Sequence, residues 1–386
     1  MSLSASRPPP HGPSSLPGPD EEGRARSLRL AARIGAQIGS GDIGFDEYMR
    51  MALYEPGLGY YDAQGAKIGA AGDFVTAPGI TPLFARTLAA QVAQAFERTG
   101  PDLLEFGAGT GDLAAELLAE LARAGRPARS YRIVEVSGDL RARQRARLAG
   151  RGEVQWLDAM PARVDGVVVA NEVLDVLPVR TVVRTGEAWL ERRIAVDAQG
   201  ILAWSARDAD PGLTLALQAI EREVGILPAG YASEVSEVVP AWIATLGEAL
   251  GRALVLVIDY GFPRREYYHP QRAMGTLMCH YRHHAHADPL WMPGLNDITA
   301  HVDFSSCAQA ARAAGCELLG YTSQARFLLN CGILDQLARA PGEAGAVMRL
   351  LSEAEMGELL KVMAFGRGVP GPLLGFSEGD RLHRLL

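Results

Sequence analysis

The chain has 386 residues, 48% hydrophobic and 22% charged, with a net charge of −7. That composition excludes a disordered or collagen-like chain and supplies apolar material for a large core. Of the 38 basic residues only Lys67 and Lys361 are lysine, and no basic excess is present to grip nucleic-acid phosphates.

Residues 1–27 are rich in Pro, Ser and Gly and predict a disordered tail. They lack the continuous apolar stretch of a secretory signal, and the prolines and the Asp20-Glu21-Glu22 run argue against an organelle presequence. Helices are predicted over 28–39 and 45–53, followed by an irregular Gly-rich and aromatic stretch, 54–79. Thr81 and Pro82 read as an N-cap and first helical residue. Phe84, Leu88, Val92 and Phe96 then share one face, which predicts an amphipathic helix over 82–98.

From 102 the rhythm becomes strand, Gly-rich turn, helix. Strands are predicted at 102–106, 131–136, 154–157 and 167–170, with helices at 112–124 and 138–149. This alternation implies right-handed crossovers and a parallel sheet. It breaks at 180–204, where apolar and polar residues alternate as in a β-meander with turns near Gly186 and Gly200. Helices at 213–227 and 240–250 follow, and 253–259 returns to a buried parallel strand. The final third predicts a His-rich loop region, a helix near 304–314 and a last helical segment near 352–364. The domain reading is a tail (1–27), a helical extension (28–100), a doubly wound α/β core (101–180 and 251–386) and an inserted substrate-side module (181–250).

The cysteines, Cys279, Cys307, Cys316 and Cys331, form no C-x-x-C pair and match no common zinc spacing. They read as buried free thiols of a reducing compartment, here the bacterial cytoplasm. No stretch approaches the ~20 apolar residues of a membrane span.

Glu105-Phe-Gly107-Ala-Gly109-Thr-Gly111 follows a strand and opens a helix. Glycines there let the backbone turn tightly and approach a ligand closely. The spacing is G-x-G-x-G, not the G-x-G-x-x-G of dinucleotide binders, and an acid precedes the first glycine by two. This fits a ligand with an amino-acid end, a nucleoside and no pyrophosphate: S-adenosylmethionine (SAM). Glu135 closes the next strand, where an acid accepts both ribose hydroxyls. Asp158 follows the third strand, within reach of an adenine amino group. Asn171, at the carboxyl end of strand 167–170, can reach the amino-acid end of the cofactor. Glu172 and Asp175 are three apart and could share a helical face. Two carboxylates beside a methyl donor suit a guanidinium, although a helix start favours acids too.

Gly69-Ala-Ala-Gly72-Asp73-Phe74-Val-Thr76-Ala-Pro78 reads as a shaped loop that brings Asp73 toward the site; the bland alternative is a surface loop. His269, His280, His283, His284, His286 and His301 crowd 33 positions. His280, His283 and His284 have ligand-like spacing, but no H-E-x-x-H pattern accompanies them and hydrogen-bonded or solvated histidines are expected rather than a metal site. Thr299 or Asp303 reads as the cap of the helix that follows.

The chain resembles the MidA family of SAM-dependent methyltransferases from about Phe45 to Gly332. The resemblance rests on Tyr54-Glu-Pro56-Gly57-Leu-Gly59-Tyr60-Tyr61, Gly72 to Pro78, Glu105 to Gly111, Asn171-Glu172 with Asp175 and Pro178, Asp259-Tyr260-Gly261, Gly275-Thr276-Leu277, and Asp297-Ile298-Thr299-Ala-His301-Val-Asp303-Phe304. It implies a class I methyltransferase fold and a SAM site at Asp73, Glu105, Gly107, Gly109, Gly111, Glu135, Asp158 and Asn171. Glu172 and Asp175 would be the catalytic carboxylates, and no metal is implied. The mitochondrial relative is a protein arginine methyltransferase acting on a complex I core subunit. The expected partners are therefore a protein substrate, such as a complex I subunit, and a second copy of the chain in a homodimer. Two rivals stand beside this reading: a SAM-binding assembly chaperone without transfer, and a small-molecule N- or O-methyltransferase.

Overall fold

The computed structural model describes residues 16–62, 76–186 and 188–386. The chain sorts into two compact units. One comprises Met1–Phe74, Val176–Ser236 and Tyr268–Ala300; the other comprises Val75–Asp175, Glu237–Tyr267 and His301–Leu386. These bounds differ from the sequence reading. The amphipathic helix Pro82–Thr99 packs with the α/β core, and 268–300 joins the meander.

The α/β unit is built on eight strands among the described residues. Apart from the short Val302–Asp303, they are Asp102–Phe106, Ser130–Val134, Val154–Leu157, Val164–Asn171, Leu250–Phe262, Glu317–Ser323 and Leu360–Arg367. Numbered one to seven in chain order, these lie in the sheet as 3-2-1-4-5-7-6. The first five are mutually parallel, and Leu360–Arg367 is antiparallel to both of its neighbours. Strand order reverses between Asp102–Phe106 and Val164–Asn171, and ligands bind at the carboxyl ends beside such a switch point. The central strands are apolar on both faces: Val167, Val168, Val169, Leu254, Val255, Leu256 and Val257 are fully buried. Helix Pro82–Thr99 sends Leu88 and Val92 into the same core, and Thr81 caps it by accepting from Leu83 N at 3.2 Å.

The other unit carries the meander. Arg180–Thr185, Ala188–Val196 and Leu202–Asp208 pair antiparallel, with Asp42–Gly44 and Ala232–Val235 at the flanks. Leu30, Ile34, Phe45, Tyr48, Met49 and Ile194 fill its core. The tyrosines of the 54–61 motif have structural work here. Tyr54 and Tyr61 stack at 5.6 Å, Tyr61 donates to Asp297 at 2.8 Å, and Tyr54 donates to the Val176 carbonyl at 3.1 Å.

Several expectations change. The first helix begins at Glu21, not near residue 28. Asp20 accepts from Gly23 N at 2.7 Å, and Glu21 and Glu22 fill the first turn, so the acidic run is a helix start. Residues 1–15 of the expected tail lie outside the described residues. The segment expected to be helical over 352–364 is instead turn through 359 followed by the strand Leu360–Arg367, buried at seven of eight positions. Its apolar run has neither a helical nor a strand period, because protein covers both faces. The His-rich region is a three-stranded sheet of Met278–Tyr281, His284–His286 and Asp297–Thr299. Arg282 and His283 form its tight turn with φ of 47° and 63°. Thr299 caps no helix and lies in this sheet. Asp303 caps helix Phe304–Ala313 through Ser305 N and Ser306 N. All four cysteines are free and buried.

Candidate active site

The carboxyl ends of the parallel strands gather most of the expected residues within one unit. Strand Asp102–Phe106 delivers Glu105 and opens the glycine turn, where Gly107, Gly109 and Gly111 have φ of 61°, 52° and 86°. A side chain there is strained by its backbone. At Gly107 a Cβ would also meet Val173 at 3.0 Å, so the bare backbone keeps a cradle open at the switch point.

Glu105 is buried and accepts a hydrogen bond from the Tyr131 hydroxyl at 2.7 Å. Burial pushes its carboxyl up to about 8; the Tyr131 bond pulls it down and the nearby Glu135 pushes it further up. Glu135 is buried as well and raised for the same first reason, while bonds from Ser137 N at 2.9 Å and Gln144 at 2.8 Å hold it down. Gln144 is the hinge of this corner. Its amide nitrogen also donates to the Gly109 carbonyl at 2.9 Å, and its oxygen accepts from Trp156 at 2.9 Å. It thus ties the glycine turn, the acid after the second strand and the third strand together. Val136 follows Glu135 with its apolar side chain 74% exposed, in place to lie against a flat apolar ligand group.

Asp158 is not brought into this cluster. Its side chain is 91% exposed and pairs with Arg141 at 2.6 Å, whose guanidinium also bonds the Glu135 and Leu157 carbonyls. Asp73 lies outside the described residues. Ala77 N, among the described residues, donates to the Glu172 carboxylate at 3.1 Å.

Strand Val164–Asn171 presents Asn171 and then Glu172. No helix follows, which corrects the expected helical face shared by Glu172 and Asp175. Glu172 N makes a last ladder-like bond to the Ile258 carbonyl at 2.8 Å, and Glu172 then turns into the left-handed region at φ 54°. A non-glycine residue there is strained and is held by its surroundings. Asn171 Nδ2 donates to the Glu172 carboxylate at 3.2 Å. The turn rests on Asp259, which is wholly buried and accepts from Leu174 N at 2.7 Å, Val173 N at 3.1 Å and Tyr260 N at 2.9 Å. Burial lifts Asp259 to about 7 against the pull of these backbone groups and of Asp175 N. Burial and the charges of Glu172, Asp175 and Asp259 keep the neighbouring Tyr260 phenol neutral far above the usual range. Behind it Tyr260 stacks on His301 at 6.1 Å. Gly261 is bare because strand Val302–Asp303 runs against it: a Cβ would stand 2.2 Å from the Val302 carbonyl.

These residues fit SAM. Asn171 Oδ1 is buried with no hydrogen-bond partner among the described residues, as expected of a group awaiting a donor. The Gly107 cradle, the acids at Glu105 and Glu135 and the exposed Val136 supply the remaining chemistry for an ammonium, a ribose and a base. Other histidines make ordinary contacts. His286 bonds Asn296 at 3.1 Å, His284 bonds the Arg282 carbonyl at 2.7 Å, and burial lowers His280 and His286. Among the described residues no group of three His, Cys, Asp or Glu side chains is placed to hold a metal.

A family model of S-adenosyl-L-methionine-dependent methyltransferases matches residues 86–322, more than half of the chain. The chain belongs to the MidA family of SAM-dependent methyltransferases. SAM is its cofactor. A crystal structure from Burkholderia thailandensis bound to S-adenosyl-homocysteine is 49% identical, covers 96% of this chain and 100% of its own, and superposes with a TM-score of 0.91. The protein arginine methyltransferase NDUFAF7 of Mus musculus is 29% identical over 82% of this chain and 78% of its own length. Its Drosophila melanogaster homologue is 28% identical over 95% and 92%. The class I fold of the MidA family is thus present, with the sheet order described above.

Sequence reasoning missed three residues. Tyr131 carries no pattern that marks it. Gln144 is an uncharged side chain in the arginine-rich helix Gly138–Arg147, a detectable oddity. Asp259 was noted only within a family motif. As an acid ending an apolar parallel strand, it stood where ligands and their supports gather.

Proposed function

We propose that the chain transfers a methyl group from SAM to an arginine side chain of a protein. The observation that carries this reading is the acidic end of strand Val164–Asn171. Glu172 is fixed there in a non-helical turn with Asp175 three residues on, and burial together with these charges raises the neighbouring Tyr260 phenol. Such a negative site suits a planar cation, and a guanidinium meets a carboxylate in fork geometry.

SAM supplies an activated methyl on a sulfonium. The chain's own part is positioning and charge. Asn171 and Ala77 N hold the Glu172 carboxylate in one orientation. Glu172 aligns the guanidinium and balances its positive charge as the nitrogen attacks the methyl carbon, the carbon–sulfur bond breaks to leave S-adenosylhomocysteine and the nitrogen releases one proton to solvent; Asp175 adds charge from the same turn. The names of the mitochondrial relatives support an arginine acceptor. The family resemblance extends the proposal to a core subunit of respiratory complex I, met in the cytoplasm of a bacterium. Among the described residues no helix is long and apolar enough to cross a membrane.

The test uses lysate from a strain lacking the gene, methyl-labelled SAM and the pure protein. Label in methylarginine of hydrolysed protein is the expected result. Label confined to small molecules overturns the acceptor class, and no transfer to any fraction favours a SAM-binding chaperone.

A further inference from the structure

Asp259 takes no part in the reading above, yet it accepts hydrogen bonds from three backbone amides at the sheet edge. It sits on Leu250–Phe262, the strand paired in parallel register with Val164–Asn171, where Ile258 lies opposite Asn171. That register ends at the Glu172 N bond to the Ile258 carbonyl. The next two amides, of Val173 and Leu174, have no strand partner and turn onto Asp259 Oδ2. Its other oxygen accepts from its own neighbour, Tyr260 N. One carboxylate thus replaces the helix that the Glu172–Asp175 spacing suggests, and fixes the backbone on the far side of Glu172. Asn171 and Ala77 fix the Glu172 carboxylate itself. Glu172 is held in its left-handed conformation from both sides.

We infer that Asp259 is the positioning residue for Glu172: its grip on the Val173 and Leu174 amides sets where the Glu172 carboxylate stands. This rests on the methyl-transfer reading of Glu172. Asp259 is wholly buried beneath the turn and acts only through it. Asparagine there would present an amide NH2 to two backbone donors, or keep one oxygen and lose the second acceptor. Glutamate keeps both oxygens but pushes the turn outward by one methylene. A displacement of about 1 Å at a reacting centre can cost ~10²-fold in rate.

The test compares Asp259→Asn, Asp259→Glu and Glu172→Gln with the parent. Each is titrated with S-adenosylhomocysteine by calorimetry and assayed for turnover of labelled SAM on protein from lysate lacking the gene. Both Asp259 variants should bind within about threefold of the parent and leave KM for SAM unchanged, while kcat falls by ~10²-fold. Parental kcat in Asp259→Glu overturns the inference. So does cofactor binding that falls in step with kcat, or failure of both variants to fold, since each marks a purely structural role. The Glu172→Gln arm separates the two claims. If it is inactive while Asp259→Glu is parental, only the positioning role fails. If it turns over at the parental rate, the reading of Glu172 fails and the inference falls with it.

Discussion

Replacing Glu105 by Gln should stabilise the cofactor-free protein, and increasingly so as pH rises. The Glu105 carboxyl is 2% exposed, and burial pushes it from an ordinary 4.5 to about 8. Between these two values the folded protein holds a proton that the unfolded chain has released. Stability therefore falls as pH climbs through this window and levels off above about 8. The full displacement corresponds to an upper limit of about 5 kcal/mol. Gln is nearly isosteric, never ionises, and can still accept the Tyr131 hydroxyl bond. Groups such as Asp259 titrate alike in both proteins and cancel in the difference. Thermal melts of parent and Glu105→Gln from pH 5 to 9 provide the assay. In a chain of this size 1 kcal/mol moves Tm by roughly 2 °C. The gap should be near zero at pH 5 and reach several degrees, in favour of Gln, by pH 8.5. A gap that stays constant across the range would refute the claim that Glu105 is a buried acid held protonated by its surroundings.

Glu135→Ala should weaken S-adenosylhomocysteine binding about tenfold to hundredfold, the loss of hydrogen bonds to a charged acceptor at ~1.5–3 kcal/mol. Because Gln144 loses its partner too, the high end is expected; unchanged affinity by calorimetry would remove Glu135 from the site. Chelators should leave Tm and methyl transfer unchanged, and stoichiometric zinc by elemental analysis would overturn that reading of the histidines.

The doubly wound sheet was legible because its cause is local. The buried strands at 102–106, 167–170 and 253–259 are largely apolar runs, and the glycine turn at 107–111 lies between such a run and one of helical period. The places of Glu105, Glu135, Asn171 and Glu172 at or next to the carboxyl ends of strands were legible for the same reason. What failed depended on long-range packing. The span 352–364 reads as helix in the sequence because the strand Leu360–Arg367 within it lies between two neighbouring strands and carries no strand period. The spacing of Glu172 and Asp175 allows one helical face. The bond from Leu174 N to Asp259, 85 residues away, decides otherwise. The exposed ion pair of Asp158 with Arg141 is likewise not announced by the place of Asp158 after a strand.

The central claim is that the glycine turn and its acids form the SAM site, and calorimetry on Gly109→Val tests it most directly. Gly109 has φ of 52°, which a β-branched residue adopts only under strain, and its carbonyl anchors Gln144 at 2.9 Å. With folding confirmed by a cooperative melt, the parent should bind one S-adenosylhomocysteine per chain and the variant none. Parental affinity in Gly109→Val, or no binding by the parent, would contradict the account.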